Sequence, residues 1–194
     1  MEEHQTQTTQ QTSAFSKLVN IYTEPSSVFD EVILSEERTT MNWLLPIIGS
    51  ILTAIIFTFV VFSDPIIKQE MRNMQTQRLQ EKVQKGEMTQ EQVDKSMSFI
   101  PEPGSTIFQV MGIGGAIVVS FGSVLLVSLV LMICGKVFWK TSIPYGKMLE
   151  IVALAHAIFI LSTLVTMLTI KLGSSMSKTP SLAFFITPFN PSNV

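Results

Sequence analysis

With 14% charged and 46% apolar side chains, this chain of 194 residues carries far less charge than the roughly one quarter usual in soluble domains. Its net charge of −2 and lack of a basic tract argue against nucleic-acid binding, and a single cysteine, Cys134, rules out an intramolecular disulfide. Charge is absent from 39–63, from 103–135 and, His156 aside, from 151–170. Each stretch meets the length of about 20 apolar residues that carries a helix across roughly 30 Å of hydrocarbon.

Residues 1–13, MEEHQTQTTQQTS, have the composition of a disordered polar tail and no basic n-region of a signal peptide. His4 lies there, away from any ligand set. Over 14–38, Phe15, Leu18, Val19 and Tyr22 recur at helical spacing, Glu24-Pro25 breaks the pattern, and Ser27 is placed to cap a second helix bearing Val28, Phe29, Val32 and Ile33. These read as two short amphipathic interfacial helices. Their acidic faces disfavour anionic lipid, so docking on other helices is expected.

The first predicted span, 42–62, has Trp43 at headgroup level, Pro46 in its first turn, and Ser50, Thr53 and Thr58 free to bond within or between helices. Asp64-Pro65 ends it. Segment 64–102 reads as an extramembrane helical hairpin. Ile67, Met71, Met74, Leu79 and Val83 form a narrow stripe, Gly86 stops the helix, Thr89 and Gln92 make a capping box, and Val93 and Met97 continue the second arm. Packing of the arms on each other is the expectation, ahead of a methionine-lined partner surface.

The second span, 106–134, begins with a glycine pattern that imitates a phosphate loop. Gly112, Gly114 and Gly115 start a G-x-G-x-x-G, but Ile117 holds the third position and no acid follows before Glu150, which excludes the dinucleotide fingerprint. Small residues at intervals of four, Gly112, Ala116 and Ser120, instead predict a helix-packing face, widened by Gly115, Gly122 and Ser123. Cys134 is a small filler at the span's end. In the loop that follows, Lys136 and Lys140 are candidate lipid-headgroup contacts, with Lys147 at its far edge.

The third span, 148–170, contains the candidate intramembrane polar site, His156 and Glu150. At about 100° per residue Glu150 stands about 240° round from His156, so the two are no obvious pair. Glu150 is expected at the interface, helped by the positive helix end and by Lys147, while His156 is expected to hydrogen-bond a neighbouring helix. The ending, 171–194, is apolar but broken by Pro188 and Pro191, suiting an interfacial segment that leads into further spans; a truncated membrane domain is the expectation.

The predicted fold class is therefore all-α: a polytopic transmembrane helical bundle with three clear spans and an extramembrane helical hairpin. Lys136 and Lys140 in the short second loop favour a cytoplasmic N-terminus and an external hairpin. No catalytic, cofactor-binding or metal constellation is present, so no enzyme is expected. The expected partners are the lipid bilayer and a protein partner, or a second copy through the spans, and no nucleic acid. A scaffold or assembly factor is favoured over a transporter or channel subunit, since no span contains a pair of buried charges or a broken helix of the kind transporters use.

The lead-in YTEPSSVFDEVI, the tryptophan-led NWLLPIIGSILTAIIF, the glycine- and serine-rich second span and GKVFWKTSIPYGKMLEIVALAHAIFIL together resemble the bacterial branch of the Yip-domain family. The resemblance runs from about Val19 over most of the chain. It implies a five-span helical protein of the bacterial inner membrane with its N-terminus in the cytoplasm. It also implies a role in membrane organisation, as in the eukaryotic relatives that act in vesicle traffic with Rab-type GTPases. The chain departs from that pattern in its inserted hairpin and in its three clear spans.

Overall fold

The computed structural model describes residues 12–35, 38–173 and 175. Apart from Thr12 and Ser13, the tail predicted to be disordered lies outside the described residues, as does the C-terminal segment beyond 175. The fold is an all-α helical bundle. Its elements are α1 (Ala14–Asn20), α2 (Pro25–Leu34), α3 (Thr40–Val61), α4 (Pro65–Gln84), α5 (Gln90–Phe99), α6 (Thr106–Phe138), α7 (Tyr145–His156) and α8 (Ile158–Gly173). Three helices are long and apolar enough to cross a membrane: α3, α6 and the run Tyr145–Gly173 formed by α7 and α8. At most 22% of any of their apolar windows is buried within the chain, so most of that surface requires apolar surroundings from elsewhere.

Local chemistry sets the helix boundaries. Ser13 Oγ accepts from Ser16 N–H to start α1. Helix α2 starts at Pro25, two residues ahead of the predicted Ser27 cap, because proline's fixed φ suits the first helical position and its missing N–H is not needed there. Helix α3 likewise begins two residues early, at Thr40, which puts Pro46 inside the helix and not in its first turn. Pro46 is fully buried, and Ser50 Oγ donates to its carbonyl at 2.9 Å.

The described residues fall into two compact units, one drawn from Met1–Ser50 with Ser120–Ile158 and the other from Ile51–Val119 with Phe159–Val194. In the first, α2 packs on both α1 and α7, with Val28, Val32 and Leu154 buried and Ile21, Phe29 and Ile151 around them. Of the stripe Phe15, Leu18, Val19 and Tyr22, Leu18 is half-buried and the other three face outward, while Lys17 on the opposite side of α1 is buried. Beyond α6 the chain turns through Lys140, a non-glycine residue at φ 53°, while the amides of Trp139 and Thr141 both donate to Gly135 O.

In the second unit, Val61, Phe62, Ile67 and Ile170 form the core, and Phe62 meets Phe108 edge-on at 4.8 Å. Asp64 caps α4 through Ile66 N–H and pairs with Lys171 at 3.6 Å. The hairpin arms α4 and α5 pack together, with Val93 buried and Met71, Met74, Leu79, Val83 and Met97 half-buried. The capping box is present: Thr89 Oγ1 accepts from Gln92 N–H and Gln92 Oε1 from Thr89 N–H. Gly104, at φ 79°, joins the hairpin to α6 where a Cβ would lie 2.6 Å from Lys68 Cε and 3.0 Å from Phe62 O, a position only glycine fits.

Candidate functional site: a buried polar cluster

The first unit hides a group of polar side chains from three elements. Asn42, in the first turn of α3, donates through Nδ2 to Glu150 Oε2 at 3.1 Å, and both residues are buried. Lys147, also buried, donates through Nζ to the carbonyl of Ser35, just past the end of α2, at 2.9 Å. The same ammonium lies 3.9 Å from Glu150 Oε2 across one turn of α7. An open cavity of about 430 Å³ adjoins the cluster, bounded in part by Ser35, Arg38, Ser142 and Lys147.

The backbone explains why this constellation forms. Pro144 occupies the N-cap of α7, so the helix opens at Tyr145, three residues ahead of the predicted start, and Lys147 lies inside it instead of at a loop's edge. Glu150 is then one turn further on, where it pairs with Lys147 as the spacing implies and is buried within the chain. Two buried opposite charges on one helix overturn the expectation that no span carries such a pair. The additional bonds from Asn42 to Glu150 and from Lys147 to Ser35 offset part of the cost of burying the pair.

The third long helix continues through one turn residue, Ala157, whose backbone stays right-handed helical at φ −55° and ψ −24°. A single turn at Ala157 separates α7 from α8, with Ala157 N–H donating to Leu154 O at 3.1 Å. Tyr22 Oη, from the α1–α2 turn, donates to Ala157 O at 2.6 Å. His156 ends α7 at this turn, half-buried and hydrogen-bonded or otherwise engaged.

A second charged pair ties α1 to α2. Lys17 Nζ is 3.3 Å from Glu31 Oε1, and Thr12 donates to both carboxylate oxygens, through its amide at 2.8 Å and through its hydroxyl. Burial pushes the Glu31 carboxyl up, but the Thr12 bonds and the Lys17 charge outweigh it and hold the group below its ordinary range.

The other predicted residues are dispersed. Ser120 is buried, Ala116 is half-buried, and Gly112 is exposed with Thr58 Oγ1 4.0 Å from where its Cβ would be. Gly115 and Gly122 face open space, so they do not widen the face as expected; Gly122 is about 200° round the helix from Ser120. The buried stripe runs on instead through Val124 and Ser128. Lys136, in the last turn of α6, and Lys140, just past it, are exposed, and Phe138 and Trp139 between them meet edge-to-face. Cys134 is half-buried, and no metal-binding group of three or more histidine, cysteine or acidic residues occurs among the described residues.

Sequence reasoning missed Asn42 and the burial of Lys147 and Lys17. The i, i+3 spacing of Lys147 and Glu150 was the available signal; nothing local marks Asn42, whose partner is 108 positions away. Among the described residues, every buried side-chain nitrogen or oxygen has a hydrogen-bond partner. No family model matches the chain, and no curated protein or solved structure matches it either.

Proposed function

We propose that this chain is an integral membrane protein that organises partners without transforming a substrate: a non-enzymatic scaffold or assembly and trafficking factor akin to the bacterial Yip-domain proteins it resembles. The observation that carries this reading is the state of the Glu150 carboxylate. Its neighbours Asn42 and Lys147 spend it on holding α3 to α7, which leaves a fixed internal strut in place of a reactive group. The wide apolar surfaces of the long helices supply what lipid and protein neighbours would cover.

In this reading the protein lies in a bacterial inner membrane with its N-terminus in the cytoplasm and the α4–α5 hairpin outside. A cysteine in place of Glu87, at the hairpin tip of a Cys134→Ser chain, should react with an impermeant thiol reagent in intact cells; protection there reverses the orientation. Gentle detergent extraction from native membranes, followed by sizing and mass spectrometry, tests the scaffold itself. A partner that co-purifies reproducibly, and is lost when α4–α5 is deleted, is the expected result.

A second reading, a transporter or channel subunit, draws on the buried Lys147–Glu150 pair and on the turn at Ala157 beside His156. It requires solute flux into vesicles that His156→Ala or Glu150→Gln abolishes. Flux without a partner would replace the scaffold.

A further inference from the structure

Helix α1 is inside out for a helix folding in water. Phe15 and Val19 lie about 40° apart on one side of α1; they and Tyr22, in the turn that follows, are 67%, 49% and 39% exposed. The cation on the opposite side, Lys17, is 2% exposed and held by Glu31. In water the reverse orientation is favourable, because an exposed ammonium is well hydrated and a buried phenyl ring gains from leaving the solvent. Against hydrocarbon the preference changes sign: the charge has to be concealed and neutralised, and the ring belongs outside.

The rest of the hairpin points the same way. Its inner element, α2, is seated along α7, which opens a 29-residue run long and apolar enough to span a bilayer. The charged residues that the hairpin leaves exposed, Glu24 and Asp30, are acidic, so acidic headgroups repel it and only its apolar side can draw it to lipid.

We propose that the α1–α2 hairpin is sunk into the membrane interface, with Phe15, Val19 and Tyr22 against acyl chains and the Lys17–Glu31 pair concealed beneath them. Insertion is set by apolar contact and is indifferent to headgroup charge. The proposal rests on the membrane reading above, and its test separates the two.

In the full chain carrying Cys134→Ser, single cysteines replace Phe15, Val19, Leu126 on α6 and Glu87 at the hairpin tip, and each receives a nitroxide label. The labelled proteins are placed in vesicles of phosphatidylcholine, alone or mixed with phosphatidylglycerol. Collision rates with oxygen, which concentrates in lipid, and with a water-soluble nickel chelate are then measured. Labels at 15 and 19 should match the label at 126 in oxygen access, be several-fold less accessible to nickel than the label at 87, and behave alike in both lipids. Nickel access equal to that at 87 places the face in water and overturns the proposal. Exclusion of both reagents places it against protein, a second copy included, and also overturns it. So does insertion that requires or is abolished by phosphatidylglycerol. If the label at 126 is itself open to nickel, the membrane reading fails and takes the proposal with it; lipid contact at 126 alone refutes only the hairpin's placement.

Discussion

The side-chain amide of Asn42 and the carboxylate of Glu150, 108 positions apart in the chain, meet at 3.1 Å in the interior and fix the start of α3 to α7. Lys147, 3.9 Å from the same carboxylate oxygen, makes the pair a triad. Removing one charge and leaving the other buried is the costly change. Glu150→Met should destabilise the extracted protein by about 3–5 kcal/mol, whereas replacing Lys147 and Glu150 together by methionine should cost far less, because no uncompensated charge remains. Denaturation of Lys147→Met, Glu150→Met and the double variant closes the cycle. Similar losses for Glu150→Met and the double variant would show that the triad is not coupled.

Acid should release α1 only late. The Glu31 carboxyl is held below its ordinary value of 4.5, so the folded hairpin binds fewer protons than the unfolded chain there. Its contribution is therefore complete above the ordinary carboxylate range and is lost as pH falls through the lowered folded value. Limited proteolysis at sites around Ser13, with a protease active in acid, should show α1 protected at neutral pH and cut only once the pH falls below the ordinary carboxylate range. Glu31→Gln should show the cut already at neutral pH; retention of protection in that variant would remove Glu31 from the account.

Gly104 is the most restrictive backbone position of the hairpin. Alanine there has to adopt a φ of 79° and displace Lys68, whose Cε would be 2.6 Å away. A loss of about 1–3 kcal/mol is expected from the backbone conformation alone. Gly86, also at positive φ but with open space around it, should show only the conformational part of that loss on the same substitution. Thermal unfolding of the two alanine variants compares them, and a Gly104→Ala chain as stable as the parent would contradict the geometry.

Tyr22→Phe keeps the ring and removes the hydroxyl that binds Ala157 O. Stability should fall by about 0.5–1.5 kcal/mol, the range for one neutral hydrogen bond. Hydrogen exchange should quicken at the amides around the α7–α8 turn and not in α4–α5. Uniform quickening across the chain would indicate global destabilisation instead.

Much of the architecture was legible because it depends on short-range patterns. Charge-free runs marked α3, α6 and the α7–α8 run, Asp64-Pro65 marked the end of the first span, and Thr89 with Gln92 marked a capping box that is present as read. Proline misled at Pro25, read as a break although it starts α2, and the start of α7 at Tyr145, after Pro144, precedes the predicted start at 148. The polar cluster was only half legible. Lys147 and Glu150 advertise themselves at i, i+3, but Asn42 and Ser35 join them through tertiary contacts that leave no periodic trace. For α1 the periodicity found the right stripe and the wrong destination, because a helical wheel shows which residues share a face and not which medium that face meets.

Helix α6 counts 33 residues, about 50 Å along its axis, against the roughly 30 Å of a bilayer's oily layer. So long a rod fits a flat membrane only by leaning, by projecting, or by thickening the lipid around it, and each option carries a modest elastic penalty that grows with the difference in length. Lipid chain length thereby becomes a variable of the protein's own energetics. On the proposed membrane reading, a bilayer enriched in longer chains would shelter more of α6, and where thick and thin regions coexist the protein would partition toward the thick ones.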